Sequence, residues 1–234
     1  IKVLENPTSL GNYPSRNAGV QAAEGTFIAV MDGDDVAFPR RIERQVEFLC
    51  RHPEHVIVGT QVCLIDAEGD PIARRQGLHT RHEAIDSALM DGEWAVIHPT
   101  VLMRREAFQA VDGYRERYRT CADHDLYLRL AEIGRIANLS EVLLRYRRHC
   151  GSMTSNPTDQ HRNLHLIRQE ARKRRNLSPL DTEVPPEGSE EPLSKKKMKL
   201  HLCWARMALS GRNLKTSCKH VLRSMSVRPV GTLA

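Results

Sequence analysis

Residues 26–35, TFIAVMDGDD, decide how this chain of 234 residues is read. The first six are apolar or β-branched and sit between turn formers, the pattern of a short buried strand. Asp32, Asp34 and Asp35 follow at once, where that strand ends. In open α/β sheets ligands lie outside the carboxyl ends of strands, so the acids fall where a site is expected. Clustered carboxylates repel one another unless a cation is held among them, and hard oxygen donors suit Mg2+ or Mn2+. A solvated acidic turn has the same composition, and the motif alone leaves both readings open.

Upstream, residues 1–5 alternate like a short strand, 6–14 are turn-rich, and 15–23 read as a helix with Pro14 near its start and Gly25 past its end. Downstream, Ile42, Val46 and Leu49 recur at helical spacing after Pro39, and His52-Pro53 stops that helix. Residues 56–65 read as a strand, followed by a turn over 66–71 and a second extended piece. Residues 83–90 and 105–110 read as helices, with a strand at 100–103 between them. The segment 123–133 predicts a helix with Leu126, Leu130 and Ile133 inward and Gly134 at its end, and 142–146 a last strand. Strands alternating with helices predict an α/β layer fold with a mostly parallel sheet over residues 1–154.

Beyond 154 the texture changes. A basic helix is expected within 155–177, a Pro-, Glu- and Ser-rich linker over 178–194, and a helical hairpin over 195–234. Its two helices would close through Leu200, Trp204 and Met207 on one side and Leu214, Cys218, Val221 and Leu222 on the other.

Apolar residues make up 40% of the chain and charged residues 27%, enough for a core, which excludes wholesale disorder. Aromatic residues at 5% speak against base-stacking nucleic-acid modules. No apolar run approaches the ~18 residues of a membrane span. Residues 1–154 carry 19 basic and 22 acidic side chains and 155–234 carry 16 and 7, so the positive charge belongs to the tail. Six scattered cysteines without a CxxC pair read as structural thiols in a reducing compartment.

Asp123-His124-Asp125 opens a helix. A carboxylate there is either a cap or, if it faces a cleft, a general base. Asp125 lies one turn before Arg129 and reads as the structural member of the pair. Arg16 reads as a phosphate contact or a solvated charge, and His149 as an anion contact or a surface histidine. His98-Pro99 reads as a loop.

Taken together, four stretches resemble the family 2 glycosyltransferases of the GT-A fold. They are NPTSLGNYPSRNAGVQAAEGTFIAVMDGDDVAFPRRIERQVEFL (6–49), HPTVLMRREAF (98–108), GYRERYRTCADHDLYLRLAEIG (113–134) and EVLLRYRRHCGSMT (141–154). The resemblance implies an α/β, Rossmann-like GT-A sheet flanked by helices, lacking the family's first two strands, with a helical C-terminal extension. By likeness to the family's DxD element, Asp32 and Asp34 would hold Mg2+ or Mn2+, with Asp35 beside them on the substrate. Arg16 matches the Arg of the family's RN-x-G helix and implies a nucleotide or phosphate contact. Asp123 matches the catalytic base of the family's ED pair, whose Glu is Ala122 here. His149 matches the last residue of the family's YRxH ending and implies a role beside the pyrophosphate.

The implied reaction is inverting transfer of a sugar from a nucleotide-diphosphate donor to a hydroxyl of a saccharide or lipid-linked acceptor, in cell-surface polysaccharide or glycolipid synthesis. A cytoplasmic enzyme follows, touching the membrane's inner face through its basic tail, with no nucleic-acid partner. The competing readings are a sugar nucleotidyltransferase, a binder acting through the basic tail, and a remnant without catalysis.

Overall fold

The computed structural model describes residues 2–6, 8–73, 77–149, 157–182, 184 and 193–226. The elements run α1 (Asn12–Gln21), β1 (Phe27–Ala29), β2 (Val36–Ala37), α2 (Arg41–Arg51), β3 (His55–Ile65), β4 (Pro71–Ala73), α3 (His82–Met90) and β5 (Leu102–Arg104). They continue α4 (Arg105–Ala110), α5 (Ala122–Ala131), β6 (Arg135–Arg147), α6 (Pro157–Arg174), α7 (Leu193–Ser210) and α8 (Leu214–Ser226). A 3-10 turn, His98–Thr100, leads into β5.

The strands form one sheet in the order β1-β5-β3-β6-β2, with β4 also on β3. β3 and β6 are its long central members and run parallel; every other pairing is antiparallel. The expectation of a mostly parallel sheet is therefore corrected to a mixed one within the same α/β class. Alternation of strands and helices implies parallel neighbours only where each helix carries the chain to the adjacent strand. Here β4 returns on β3 as a hairpin, and α2 joins β2 to β3, which are not adjacent.

Residues 2–6 carry no regular structure and are exposed, against the strand expected there. A short alternating run keeps strand geometry only if a neighbour takes up its N–H and C=O groups. Residues 155–156, most of 183–192 and 227–234 lie outside the described residues, so those parts of the expected basic helix, linker and hairpin do too.

The core wraps both faces of β3. Ile57, Val58 and Val62 are fully buried, with Leu126, Leu128 and Leu130 of α5 packed in the main cluster. Gly59 lets the two central strands meet: a Cβ there would lie 2.2 Å from Asn138 Oδ1, whose amide donates to the carbonyls of His79 and Ala95. Two helical faces differ from their apolar pattern. On α2 the buried side chains are Arg41, Gln45 and Leu49, while Ile42 is exposed. Ile133, expected inward, is exposed beyond the end of α5.

The polar face of α2 has a purpose. Arg41 donates to the carbonyl of Val30 at 2.7 Å, and Gln45 donates to the carbonyls of Val58 (2.9 Å) and Thr100 (2.7 Å). These bonds satisfy backbone carbonyls just past β1, within β3 and ahead of β5, groups that would be costly to leave buried and unpaired.

Candidate active site

A cleft of about 690 Å3 opens at the carboxyl ends of β1, β3 and β6. Asp32, Asp34, Arg16, Asp123 and His149 all line it, so five of the six expected site residues are brought together. Asp35 is not among them and does not contact this space.

One helix joins the two acidic ends of the cleft. Tyr13 of α1 donates its hydroxyl to Asp123 Oδ1 at 3.2 Å. Arg16, one turn later, ion-pairs with Asp32. Asn17 then ties α1 to the segment before α5: its amide donates to the carbonyl of Tyr114 at 2.9 Å, and its own oxygen accepts the Tyr114 N–H at 3.0 Å. Asp123 Oδ1 also accepts the N–H of His124 at 3.0 Å. Both bonds fall on one oxygen, and Oδ2 has no hydrogen bond among the described residues. Cys121, the residue before α5, adopts φ 66°, which swings the chain so that Asp123 meets the cleft while Asp125 is buried. Arg129 holds Asp125 at 2.7 Å, as their spacing in the sequence implies.

The acidic loop divides its three carboxylates between two jobs. Asp32 and Asp34 remain partly exposed to the cleft, Asp32 beside Arg16 and Asp34 with an oxygen 3.2 Å from His149 Nε2. Asp35 turns inward, and its Oδ1 accepts the backbone N–H of Arg147 at 2.8 Å. Burial pushes the Asp35 carboxyl up to about 7, and the N–H of Arg147 opposes that shift. In this arrangement Asp35 anchors the loop on β6 and does not line the cleft. Arg147 completes the anchorage by donating to the carbonyls of Asp34 (2.6 Å), Asp66 (3.0 Å) and Ala67 (2.9 Å).

Two cleft-facing carboxylates, partly solvated and 'hard' in donor chemistry, fit a divalent cation of the Mg2+ or Mn2+ type completed by water and phosphate oxygens. In this structure Asp32 is ion-paired with Arg16, and Asp34 lies 3.2 Å from His149 Nε2.

Several cleft residues had no distinguishing mark in the sequence. His98, read as a loop, is half-buried between two tyrosines, with Tyr127 at Nδ1 and Tyr114 3.0 Å from Nε2. Burial lowers its pKa to about 4, so the ring is neutral at physiological pH. Burial also raises the phenols of Tyr13, Tyr114 and Tyr127, which therefore stay protonated donors. Tyr13 could have been found from its spacing, one helical turn before Arg16. Trp94, Leu200, Trp204 and Met207 supply the apolar wall.

Apart from Trp94, that wall comes from the C-terminal hairpin, which docks on the sheet. Trp204, with Leu200 and Met207, packs on Val62, Leu64, Ile72 and Leu144. α8 faces its neighbours through Thr216, Ser217, His220 and Ser224, and exposes Leu214, Val221 and Leu222. The expected closure of the hairpin through its two apolar faces is corrected accordingly: the sheet claims the apolar face of α7. Much of the tail's positive charge is engaged within the chain. Lys219 pairs with Asp66, Glu68 and Asp70, Arg223 with Glu68, and Arg175 with Asp86 and Glu132. No helix among the described residues is long and apolar enough to cross a membrane. The five described cysteines are free thiols.

Residues 1–112 match the family described as Glycosyl transferase family 2. EpsE of Bacillus subtilis is 36% identical over 150 residues, which cover 63% of this chain and 52% of EpsE. The amylovoran biosynthesis glycosyltransferase AmsE of Erwinia amylovora is 30% identical over 148 residues, covering 63% of this chain and 53% of AmsE. The chain thus spans about half the length of these relatives. Among solved structures, S. aureus TarS 1–349 in complex with UDP-GlcNAc superposes with a TM-score of 0.57 at 15% identity, over 97% of this chain and 65% of that one. This last likeness bears on the fold alone.

Proposed function

We propose, from the match of residues 1–112 to glycosyl transferase family 2, that the cleft transfers a sugar, with inversion, from a nucleotide-diphosphate donor to an acceptor hydroxyl. One observation carries the reading: a single turn of α1 bonds Asp123 through Tyr13 and Asp32 through Arg16, so a candidate base and a candidate diphosphate site face the same space. Asp123 is the base. Tyr13 and the N–H of His124 hold its Oδ1, which leaves Oδ2 to take the acceptor's proton as the new glycosidic bond forms and the bond to the diphosphate breaks. Because the buried Tyr13 ring and the N–H of His124 hold it, the carboxylate is oriented before substrate arrives.

Asp32 and Asp34 would hold a divalent cation, Mg2+ or Mn2+, which when bound would supply charge neutralisation for the departing diphosphate. Arg16 and His149 turn from the carboxylates toward phosphate oxygens and bind them. The exposed Trp94 is the surface on which a sugar ring rests. The relatives' names support a role in surface-polysaccharide synthesis. A lipid-linked acceptor and contact with an anionic inner leaflet belong to the same proposal, through exposed Arg206 and Arg212, which have no ion pair among the described residues.

The test is transfer and donor binding measured side by side in the enzyme that carries this chain, with UDP-GlcNAc as the first donor probe. Asp123→Asn is expected to lower turnover about 10²–10⁴-fold while donor binding persists. Unchanged turnover removes Asp123 from the reaction. Asp32→Asn with Asp34→Asn is expected to abolish the dependence on added Mg2+ or Mn2+ together with activity, and activity that persists undiminished in EDTA overturns the cation.

A further inference from the structure

At the far end of β3 from the cleft, His52, Glu54 and His55 bring three donor atoms within 4.8 Å of one another. We propose that this His-Glu-His cluster is a second, independent metal site, of the kind that takes Zn2+, clamping the end of α2 to the start of β3.

The separations carry the argument. Glu54 Oε1 lies 3.5 Å from His52 Nδ1 and 3.0 Å from His55 Nδ1. Tetrahedral ligands at ~2.0–2.2 Å from zinc are ~3.3–3.5 Å apart, so little movement converts the cluster into a coordination face. His55 Nδ1 is shut off from solvent and makes no properly directed hydrogen bond among the described residues, even with the Glu54 oxygen so near. A cation between the two groups supplies the missing partner.

The cluster is also held in shape. Phe48 packs on both imidazoles, its centroid 4.5 Å from His52 and 5.1 Å from His55. The turn between them is closed by the His55 N–H donating to the carbonyl of His52 at 3.0 Å, with Pro53 inside it. Arg104 donates to the carbonyls of Leu49 at 2.7 Å and His55 at 2.9 Å, so its charge fixes the backbone and leaves Glu54 to face the histidines. Two imidazoles and one carboxylate select a borderline transition metal, whereas Mg2+ demands oxygen ligands in an octahedron. Water takes the fourth position. His55 begins β3 and Leu64, near its end, lines the cleft, a separation of ~30 Å along the strand. The site therefore clamps structure and does not touch the sugar.

Metal-stripped chain is titrated calorimetrically with zinc sulfate alone, with magnesium sulfate as the contrast, and its melting temperature is followed. The expected result is one saturable equivalent of Zn2+, a rise in melting temperature, and no corresponding heat from Mg2+ at this cluster. His52→Ala and Glu54→Gln, both at exposed side chains, should each weaken Zn2+ binding about tenfold or more with an unchanged circular dichroism spectrum. Asp32→Asn with Asp34→Asn should leave it intact, which separates this site from the cleft. Saturation only above about 1 mM Zn2+, binding unaltered in His52→Ala, or loss in the Asp32/Asp34 variant overturns the proposal.

Discussion

The β3–β6 pair and the α7–α8 hairpin wall the same cleft, yet they are held in place differently. The strands join through a parallel ladder running from His55–Arg135 to Ile65–Arg147, with Ile57, Val58, Val62, Ile136 and Leu144 all inaccessible to water. The hairpin offers one large anchor, Trp204, flanked by the partly buried Leu200 and Met207, and adds ion pairs to the turn after β3. Burial of apolar surface is insensitive to salt, whereas ion pairs open to solvent are screened and individually weak. The body of the site should thus be rigid, and its hairpin wall detachable.

The largest effects should separate the two regions. Arg129→Ala leaves the buried Asp125 carboxylate with only the longer 3.3 Å contact to Arg115, a loss of up to about 3–5 kcal/mol, and should lower the entire urea transition. Trp204→Ala removes a comparable amount, about 3–5 kcal/mol, but only from hairpin docking. Hydrogen exchange should then quicken in α7 and α8 while the amides of β3 stay protected. Equal loss of protection in both would erase the distinction.

Next comes pH, where two carboxylates have opposite signs. Burial raises Asp35 to about 7, so between its unfolded value near 4 and 7 the native state holds the extra proton, and stability falls as pH rises. Asp35→Asn should flatten that slope in melting curves recorded from pH ~4 to ~7. Glu68 is lowered to about 2, first by its hydrogen bond from Arg223. Its contribution is present above the usual Glu value and is lost as pH falls toward 2, which should release the hairpin in acid.

The smallest expected effect is salt. Between 0.1 M and 1 M the screening length drops from ~10 Å to ~3 Å, which should loosen α8 and shift the emission of Trp204 in a Trp94→Phe background. Glu68→Gln should reproduce part of that shift at low salt, about 0.2–1 kcal/mol. No response to either would mean that packing alone seats the hairpin.

Much of this arrangement is legible in local pattern. The helix over α5, the long strand β3 and the acidic loop at the end of β1 follow from periodicity and from turn formers, because each depends on neighbours a few residues away. The buried Arg41 and Gln45 do not, because their value lies in carbonyls of Val30, Val58 and Thr100 that only folding brings near. His98 was unmarked for the same reason: its environment is built by Tyr114 and Tyr127, distant in sequence.

By itself the amino-acid order determined that residues 26–35 end a strand in carboxylates, that Asp123 opens a helix, and that an α/β layer links them. Tertiary structure decided strand direction, turned Asp35 inward, set Tyr13 and Arg16 as the bridge across the cleft, and laid Trp204 along its wall. The division follows from range: hydrogen-bonded turns and helical faces are specified within one or two turns of chain, while a charge or hydroxyl acquires its role from whichever distant backbone it meets.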